Sequence, residues 1–85
     1  MSNKLEILRK KLLYRASYRG TKEMDILLTK FVNKYIGQFD EVYLKELETF
    51  LNFEDEIILN YYQNKDVEKN IDKNKVSQVF KNFKI

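Results

Sequence analysis

The 85-residue chain contains no cysteine and no histidine, and these two absences exclude several classes of site. Without cysteine there is neither a disulfide nor a thiolate metal site, and without histidine the commonest zinc ligand and general base is missing. Paired carboxylates remain a catalytic option, but they need an enclosed pocket that shifts their pKa values. A chain this short buries only about 60–65% of its unfolded surface and has little room for such a pocket. We therefore expect a protein that is not an enzyme.

Long apolar runs are also missing, and the longest are only a few residues, as at 57–59. A helix that spans a bilayer needs about twenty such residues, so we expect no membrane insertion. The first residues form no apolar secretory stretch and no small-residue cleavage site. These features predict a cytoplasmic protein.

Proline is absent and glycine occurs only twice, at Gly20 and Gly37, so little in the chain interrupts a helix. Apolar residues recur at spacings of three and four throughout, which is the pattern of amphipathic helices. The sequence predicts an all-α fold, a small single-domain helical bundle of four to five short helices that spans residues 1–85.

The expected helix boundaries follow from caps and glycines. A first helix is predicted over 3–17, and a second begins after a Thr21 cap and ends at Gly37. Asp40 and Asn52 are predicted to cap the third and fourth helices, and the wide apolar arc of the fourth favours a central position. The polar stretch 64–74 is expected to be a flexible segment, followed by a C-terminal helix over 75–84.

Charge is distributed unevenly along the chain. Residues 1–36 carry nine Lys or Arg and three Asp or Glu, whereas residues 37–64 carry one Lys and seven Asp or Glu. Residues 65–85 are basic again. This asymmetry has two interpretations: the two halves attract each other within one domain, or they present a field to a partner.

The most informative segment is 12–28, which reads LLYRASYRGTKEMDILL. Gly20 lies at the predicted junction of two helices, where glycine permits a left-handed turn and close approach by another backbone. Arg19 offers a planar fork of donors suited to carboxylates or carbonyls, and Glu23 follows four residues later. In the simplest interpretation Arg19 and Glu23 pair at the surface, a contact worth about 0.5 kcal/mol or less.

The same segment resembles the signature of the succinate dehydrogenase assembly factors, also called FAD assembly or flavinylation factors. Arg19, Gly20 and Glu23 match the RGxxE motif of that family, and the acidic-then-leucine pattern begins at Asp25. A second family block, acidic residues followed by a Trp, corresponds here to Asp55 and its neighbours, with Tyr61 in place of the Trp. The resemblance implies these partner-binding residues: Arg19, Gly20, Glu23, Arg15, Asp25, Tyr14, Asp55 and Tyr61. Without the resemblance, Tyr61 is more typical of an ordinary core aromatic.

The resemblance also implies a function. Such a factor binds the flavoprotein subunit of succinate dehydrogenase, or of fumarate reductase in some bacteria, and promotes covalent attachment of FAD to it. The factor holds no cofactor stably by itself, since the chemistry belongs to the flavin and the flavoprotein. We expect Arg19 and Glu23 to point outward into charge-assisted contacts with that subunit, with Gly20 allowing close approach.

Two alternatives stay open from the residues alone. The basic first half, with Tyr14 and Tyr18 interleaved, is compatible with a nucleic-acid-binding helical module, although the acidic middle makes nucleic acid a poor partner. An antitoxin-like helical binder is the other alternative, and no residue pattern requires it.

Overall fold

The computed structural model describes residues 4–63, 65 and 69–84. Within these residues every regular element is a helix, which confirms the predicted all-α fold. The elements are α1 (Lys4–Ser17), α2 (Lys22–Tyr35), a 3-10 turn (Ile36–Gln38), α3 (Glu41–Leu51), α4 (Asp55–Tyr62), α5 (Lys69–Lys73) and α6 (Lys75–Lys81). None of these helices combines the length and the apolar character that a membrane crossing requires.

The core is built from one face of each long helix. Leu12 and Ala16 of α1 are fully buried, as the spacing of four predicts. The largest apolar group is aromatic: the Phe31 ring of α2 lies 5.0 Å from the Phe80 ring and 6.2 Å from the Phe50 ring, measured between centroids. Edge-to-face contacts of this kind add to the hydrophobic burial and lock α2, α3 and α6 together.

Two predicted caps are confirmed. The Thr21 hydroxyl accepts a hydrogen bond from the Met24 N–H at 3.3 Å, and the Asp40 carboxylate accepts one from the Tyr43 N–H at 3.0 Å. The predicted Asn52 cap of α4 is wrong, because Asn52 is the C-cap of α3 and Glu54 precedes α4. The helix-ending role of Gly37 is also wrong. The chain leaves α2 at Tyr35 and passes through Gly37 in the 3-10 turn.

An arginine of α1 holds the turn between α2 and α3. The Arg9 guanidinium donates to the carbonyls of Ile36 and Phe39 at 3.2 and 3.1 Å. Phe39 itself is buried, so an apolar anchor and a polar tie act on the same turn. The Ile36 carbonyl also accepts a hydrogen bond from the Phe39 N–H at 3.4 Å, and the Phe39 carbonyl lies outside the helices, so Arg9 adds hydrogen bonds where the helical pattern ends.

α3, rather than α4, is the central helix. It packs against both α1 and α6, whereas α4 packs mainly against α6. The apolar arc of α4 is wide, but Ile57, Leu59 and Tyr62 are only half-buried. The expected central position of α4 is therefore wrong, because part of its arc lines an open groove instead of the core.

The polar stretch expected to be flexible is better anchored than its composition indicates. Residues 64 and 66–68 lie outside the described part of the chain, but residues 69–73 form α5 and fully bury Ile71. Asn74 is also buried. It accepts a hydrogen bond from the Ser77 N–H and donates one to the Glu46 carbonyl, which joins the start of α6 to α3. The C-terminal helix ends at Lys81, earlier than predicted.

Candidate functional site

The RGxxE segment forms a sharp corner between α1 and α2, which we call the Gly20 corner (residues 18–21). Gly20 has φ +118°, a conformation that side chains of the L configuration rarely adopt. In the part of the chain that the structure describes, and apart from Gly20 and its two chain neighbours, no heavy atom lies within 4 Å of the place where a Cβ would stand. The glycine is thus required by the backbone conformation and not by crowding, and its outer side is open.

The Arg19 side chain points inward, contrary to the expectation that it faces solvent. Its Nη1 and Nη2 donate to the carbonyls of Leu51 and Phe53, each at 2.7 Å, and its Nε donates to Asp55 Oδ1 at 2.8 Å. Only 10% of the Arg19 side chain is exposed. The guanidinium therefore ties the Gly20 corner to the α3–α4 junction, 32 to 36 residues further along the chain.

The Arg19 guanidinium lies here because the α3–α4 junction contains carbonyls that lack a helical partner. Leu51 is the last residue of α3 and Phe53 lies in the turn, so neither carbonyl has a partner within a helix. A planar guanidinium can satisfy two carbonyls and a carboxylate at once, which a lysine cannot do. The ion pair with Asp55 compensates the arginine charge where the side chain is largely removed from water.

Asp25 and Thr21 hold the corner from the α2 side. The Asp25 carboxylate is half-buried and accepts a hydrogen bond from the backbone N–H of Arg19. Thr21 caps α2, as described above. Three charged residues expected at a partner surface, Arg19, Asp25 and Asp55, are thus joined in one internal network that shapes the corner.

Glu23 is exposed in the first turn of α2, as predicted, and its carboxylate forms no ion pair with any described residue. The predicted surface pair between Arg19 and Glu23 is therefore wrong. Glu23 instead lies beside an open groove of about 530 Å³, which we call the α2–α4 groove. The groove is lined by Thr21, Lys22, Glu23, Met24, Asp55, Glu56 and Leu59. Met24 and Leu59 supply apolar surface, and three carboxylates, one lysine and one threonine supply the polar lining.

Tyr14 and Arg15 differ in solvent exposure and in their contacts with the rest of the protein. The Arg15 guanidinium donates to the Asn52 side-chain oxygen, which links α1 to the end of α3. Tyr14 is 65% exposed, and its ring contacts that of Tyr18 with 4.6 Å between centroids. Of these two residues, Tyr14 is the one whose side chain lies largely in solvent.

Tyr61 is a core residue. It is fully buried, its hydroxyl donates to Asp72 Oδ1 at 3.4 Å, and the Lys81 ammonium lies 5.1 Å from its ring centroid. Burial raises the pKa of the Tyr61 hydroxyl, and the nearby Asp72 carboxylate raises that pKa further. The predicted partner contact through Tyr61 is incompatible with this burial.

The structure therefore separates the eight predicted site residues. Gly20 and Glu23 lie at the surface, and Arg19, Asp25 and Asp55 form the network beneath them, with Glu23 and Asp55 also lining the groove. Sequence reasoning missed the groove residues Lys22, Met24 and Leu59 as site residues. Nothing in the local sequence connects Leu59 with Met24, since they meet only when α4 is placed beside α2.

Comparisons with known proteins agree on one family. Residues 10–84 match the family model described as flavinator of succinate dehydrogenase. The chain is 39% identical over 80 residues to succinate dehydrogenase assembly factor 2, mitochondrial, from Scheffersomyces stipitis. That alignment covers 91% of this chain and 52% of the fungal protein, so the chain spans about half the length of this relative. No solved structure matches the chain.

Proposed function

Since the chain belongs to the succinate dehydrogenase flavinator family, we propose that it binds the flavoprotein subunit of succinate dehydrogenase and promotes covalent attachment of FAD to it. The fumarate reductase flavoprotein is a related partner. The place of action is that of the partner, the mitochondrial matrix in a eukaryote or the cytoplasm in a bacterium. Family membership favours this function over a nucleic-acid-binding or antitoxin-like role.

The observation that carries the proposal is the shape of the Gly20 corner. The backbone at Gly20 has no side chain and an open outer side, so a partner backbone can approach it closely. Glu23 stands next to this bare backbone and beside the α2–α4 groove, where its carboxylate can accept charge-assisted hydrogen bonds. Arg19 contributes by holding the corner in place rather than by touching the partner.

The proposed role is positioning, without chemistry of its own. The open groove contains carboxylates, and the chain has no histidine or cysteine to act as base or nucleophile. In this proposal the flavin and the flavoprotein perform the bond-forming step, and no cofactor is held stably by the factor. A factor that holds the flavoprotein in one arrangement raises the rate by keeping the reacting atoms close and aligned.

In vitro flavinylation tests the proposal. Unflavinylated flavoprotein subunit is mixed with FAD, with or without the factor, then denatured and examined for in-gel flavin fluorescence. We expect a faster covalent signal with the factor, and little gain with Gly20→Val or Glu23→Gln. Gly37→Val and Glu41→Gln are matched controls, because they change the other glycine and an exposed glutamate of α3.

Circular dichroism must show that each variant remains helical. The proposed function is wrong if the wild-type factor forms no complex with the subunit and leaves the covalent signal unchanged. If the factor works but the Gly20 and Glu23 variants work equally well, then the function stands and the Gly20 corner is not its binding surface.

A further inference from the structure

The outer face of α1 carries apolar side chains that the core does not use. Ile7 is 64% exposed, Tyr14 65% and Tyr18, one residue beyond the end of α1, 69%. Spacings of seven and four place these three side chains on one side of the helix. The opposite side holds Leu12 and Ala16, both fully buried. The exposed stripe is therefore a second apolar face and not an extension of the core.

Lysines surround this stripe. Lys4, Lys10 and Lys11 are exposed, and none of them forms an ion pair with another residue that the structure describes. Arg9 and Arg15 point to carbonyl and amide oxygens within the protein instead. We call the exposed set Ile7, Tyr14, Tyr18, Lys4, Lys10 and Lys11 the α1 ridge.

The α1 ridge has features of the centre of a protein interface. The rings of Tyr14 and Tyr18 already contact each other, so less side-chain freedom is lost when a partner covers them. Tyrosine is enriched at such centres because a large apolar ring and a polar hydroxyl are held by only two rotatable bonds. The lysines form a charged rim, which favours a partner of opposite charge.

The sign of the charge changes beyond Tyr18. The α1 ridge is basic, whereas the α2–α4 groove across the Gly20 corner is lined by Glu23, Asp55 and Glu56 together with Lys22. Asp55 is paired with Arg19, so two carboxylates against one lysine leave the groove weakly acidic. A uniform polyanion, such as a nucleic acid or an anionic bilayer, would be attracted by the ridge and repelled at the groove. A folded protein can present an acidic region to one and a basic region to the other. The change of sign therefore favours a protein as occupant.

We infer that the α1 ridge is a second docking surface, on which an acidic segment with apolar side chains of the partner protein lies. The inference rests on the proposed function for the identity of that partner, the flavoprotein subunit. The ridge orients the subunit while the Gly20 corner makes the close approach. Because the ridge continues directly into the corner through Tyr18, both surfaces can contact one partner at the same time.

Affinity measurements with charge-reversed variants test this inference. Immobilised unflavinylated flavoprotein subunit is titrated with the wild-type factor, with Lys4→Glu/Lys11→Glu, and with Lys73→Glu/Lys84→Glu. The last variant makes the same change in net charge at exposed lysines of α5 and the C-terminal end. We expect the Kd to rise about tenfold for the ridge variant at low salt, and less than twofold for the control. The difference should shrink in 0.5 M NaCl.

A second pair of variants tests the apolar part of the ridge. Ile7→Ser/Tyr14→Ser removes exposed side chains and leaves the buried face of α1 intact, so we expect the fold to persist. Val42→Ser is the control, since Val42 is 55% exposed on α3. We expect the ridge variant to raise the Kd about tenfold at every salt concentration and the control to change it little.

The outcomes separate the two ideas. If Gly20→Val abolishes binding while both ridge variants bind as the controls do, the ridge inference is wrong and the proposed function stands. If the wild-type factor does not bind the subunit at all, both are wrong. Retention of labelled single-stranded DNA or of phosphatidylserine vesicles by the ridge, without binding of the subunit, would likewise overturn the assignment to a protein partner.

Discussion

Two turns flank α2, and each is tied down in a different way by an arginine, Arg9 of α1 or Arg19 of the Gly20 corner. At the turn between α2 and α3, which we call the Gly37 turn (residues 36–39), Arg9 donates to two carbonyls, and the Glu6 carboxylate lies 3.9 Å from its Nη1. Near the Gly20 corner, Arg19 donates to two carbonyls and also forms a 2.8 Å ion pair with Asp55. The Arg9 side chain is 26% exposed and that of Arg19 only 10%.

The difference in exposure and ion pairing between Arg9 and Arg19 indicates that the motif arginine has a structural role. A more deeply buried guanidinium needs a compensating charge, because desolvation of an unpaired ion is costly. At the Gly20 corner the Asp55 carboxylate compensates the charge of Arg19. At the Gly37 turn Arg9 is more exposed to solvent, so its charge needs less compensation. Arg19 therefore belongs to the framework that presents Gly20 and Glu23, although its sequence pattern is that of a contact residue.

The largest expected effect is loss of the motif arginine. Arg19→Met leaves Asp55 and two carbonyls without their partner, so we expect a loss of about 3 kcal/mol in the free energy of unfolding. Arg9→Met at the other turn should cost about 1–1.5 kcal/mol, since that site is more exposed. Urea denaturation of both variants measures the difference, and equal losses would contradict the distinction between the two turns.

The two glycines provide the next comparison. Gly20→Ala forces a side chain into a backbone with φ +118°, and we expect a cost of about 1–2 kcal/mol. Gly37→Ala should be neutral or stabilise by about 0.5 kcal/mol, because that residue has an ordinary backbone and open space beside it. In thermal unfolding followed by circular dichroism, we expect the Tm of Gly20→Ala to lie below that of the wild type and the Tm of Gly37→Ala to equal or exceed it.

The helix caps after each turn should differ by a smaller amount. Asp40→Ala removes a 3.0 Å hydrogen bond to the Tyr43 N–H, for which we expect a loss of about 1 kcal/mol. Thr21→Ala removes a longer bond of 3.3 Å, so about 0.5 kcal/mol is expected. Urea midpoints at constant slope measure both losses. A greater loss at Thr21 would mean that the Gly20 corner depends on its cap more than the geometry indicates.

Another small effect lies outside both turns and provides a reference for them. The folded-state pKa of Tyr61 is raised above its unfolded value of about 10, so its contribution is complete below that pH and is lost as pH rises further. We expect Tyr61→Phe to cost under about 1 kcal/mol at pH 8, where only a long hydrogen bond is removed. In alkaline solution the variant should lose less stability than the wild type. Unfolding curves at pH 8 and above pH 10 test this order.

Much of the fold was predictable because the information is local. The apolar spacing in α1 to α3 and the caps Thr21 and Asp40 depend on residues within one or two turns of each other. Errors arose where a residue has two uses. Asn52 suits an N-cap by type but closes α3, and the apolar arc of α4 lines a groove as well as the core. Ile71 was overlooked because residues 64–74 contain only two apolar residues, Val67 and Ile71, among nine polar ones.

The candidate site was predictable as a location but not as a set of roles. The RGxxE motif correctly marked a helix junction, and Gly20 and Glu23 lie where its chemistry predicts. The role of Arg19 was missed because its partners Leu51, Phe53 and Asp55 are more than thirty residues away. Tyr61 was included among the partner-binding residues only through the resemblance, and packing of α4 against α6 removes it from solvent, as its aromatic type by itself indicates.

The sequence by itself determined the helical class, the family, the sharp turn at Gly20 and the exclusion of cysteine and histidine chemistry, because each depends on residue type or short spacing. Only the tertiary structure decided which charges face inward. Whether a side chain is buried depends on which helices pack together. Arg19 lies inside because it donates to the Leu51 and Phe53 carbonyls, at and just after the C-terminal end of α3. The same packing leaves the α1 ridge exposed, because α1 contributes its opposite side, with Leu12 and Ala16, to the core.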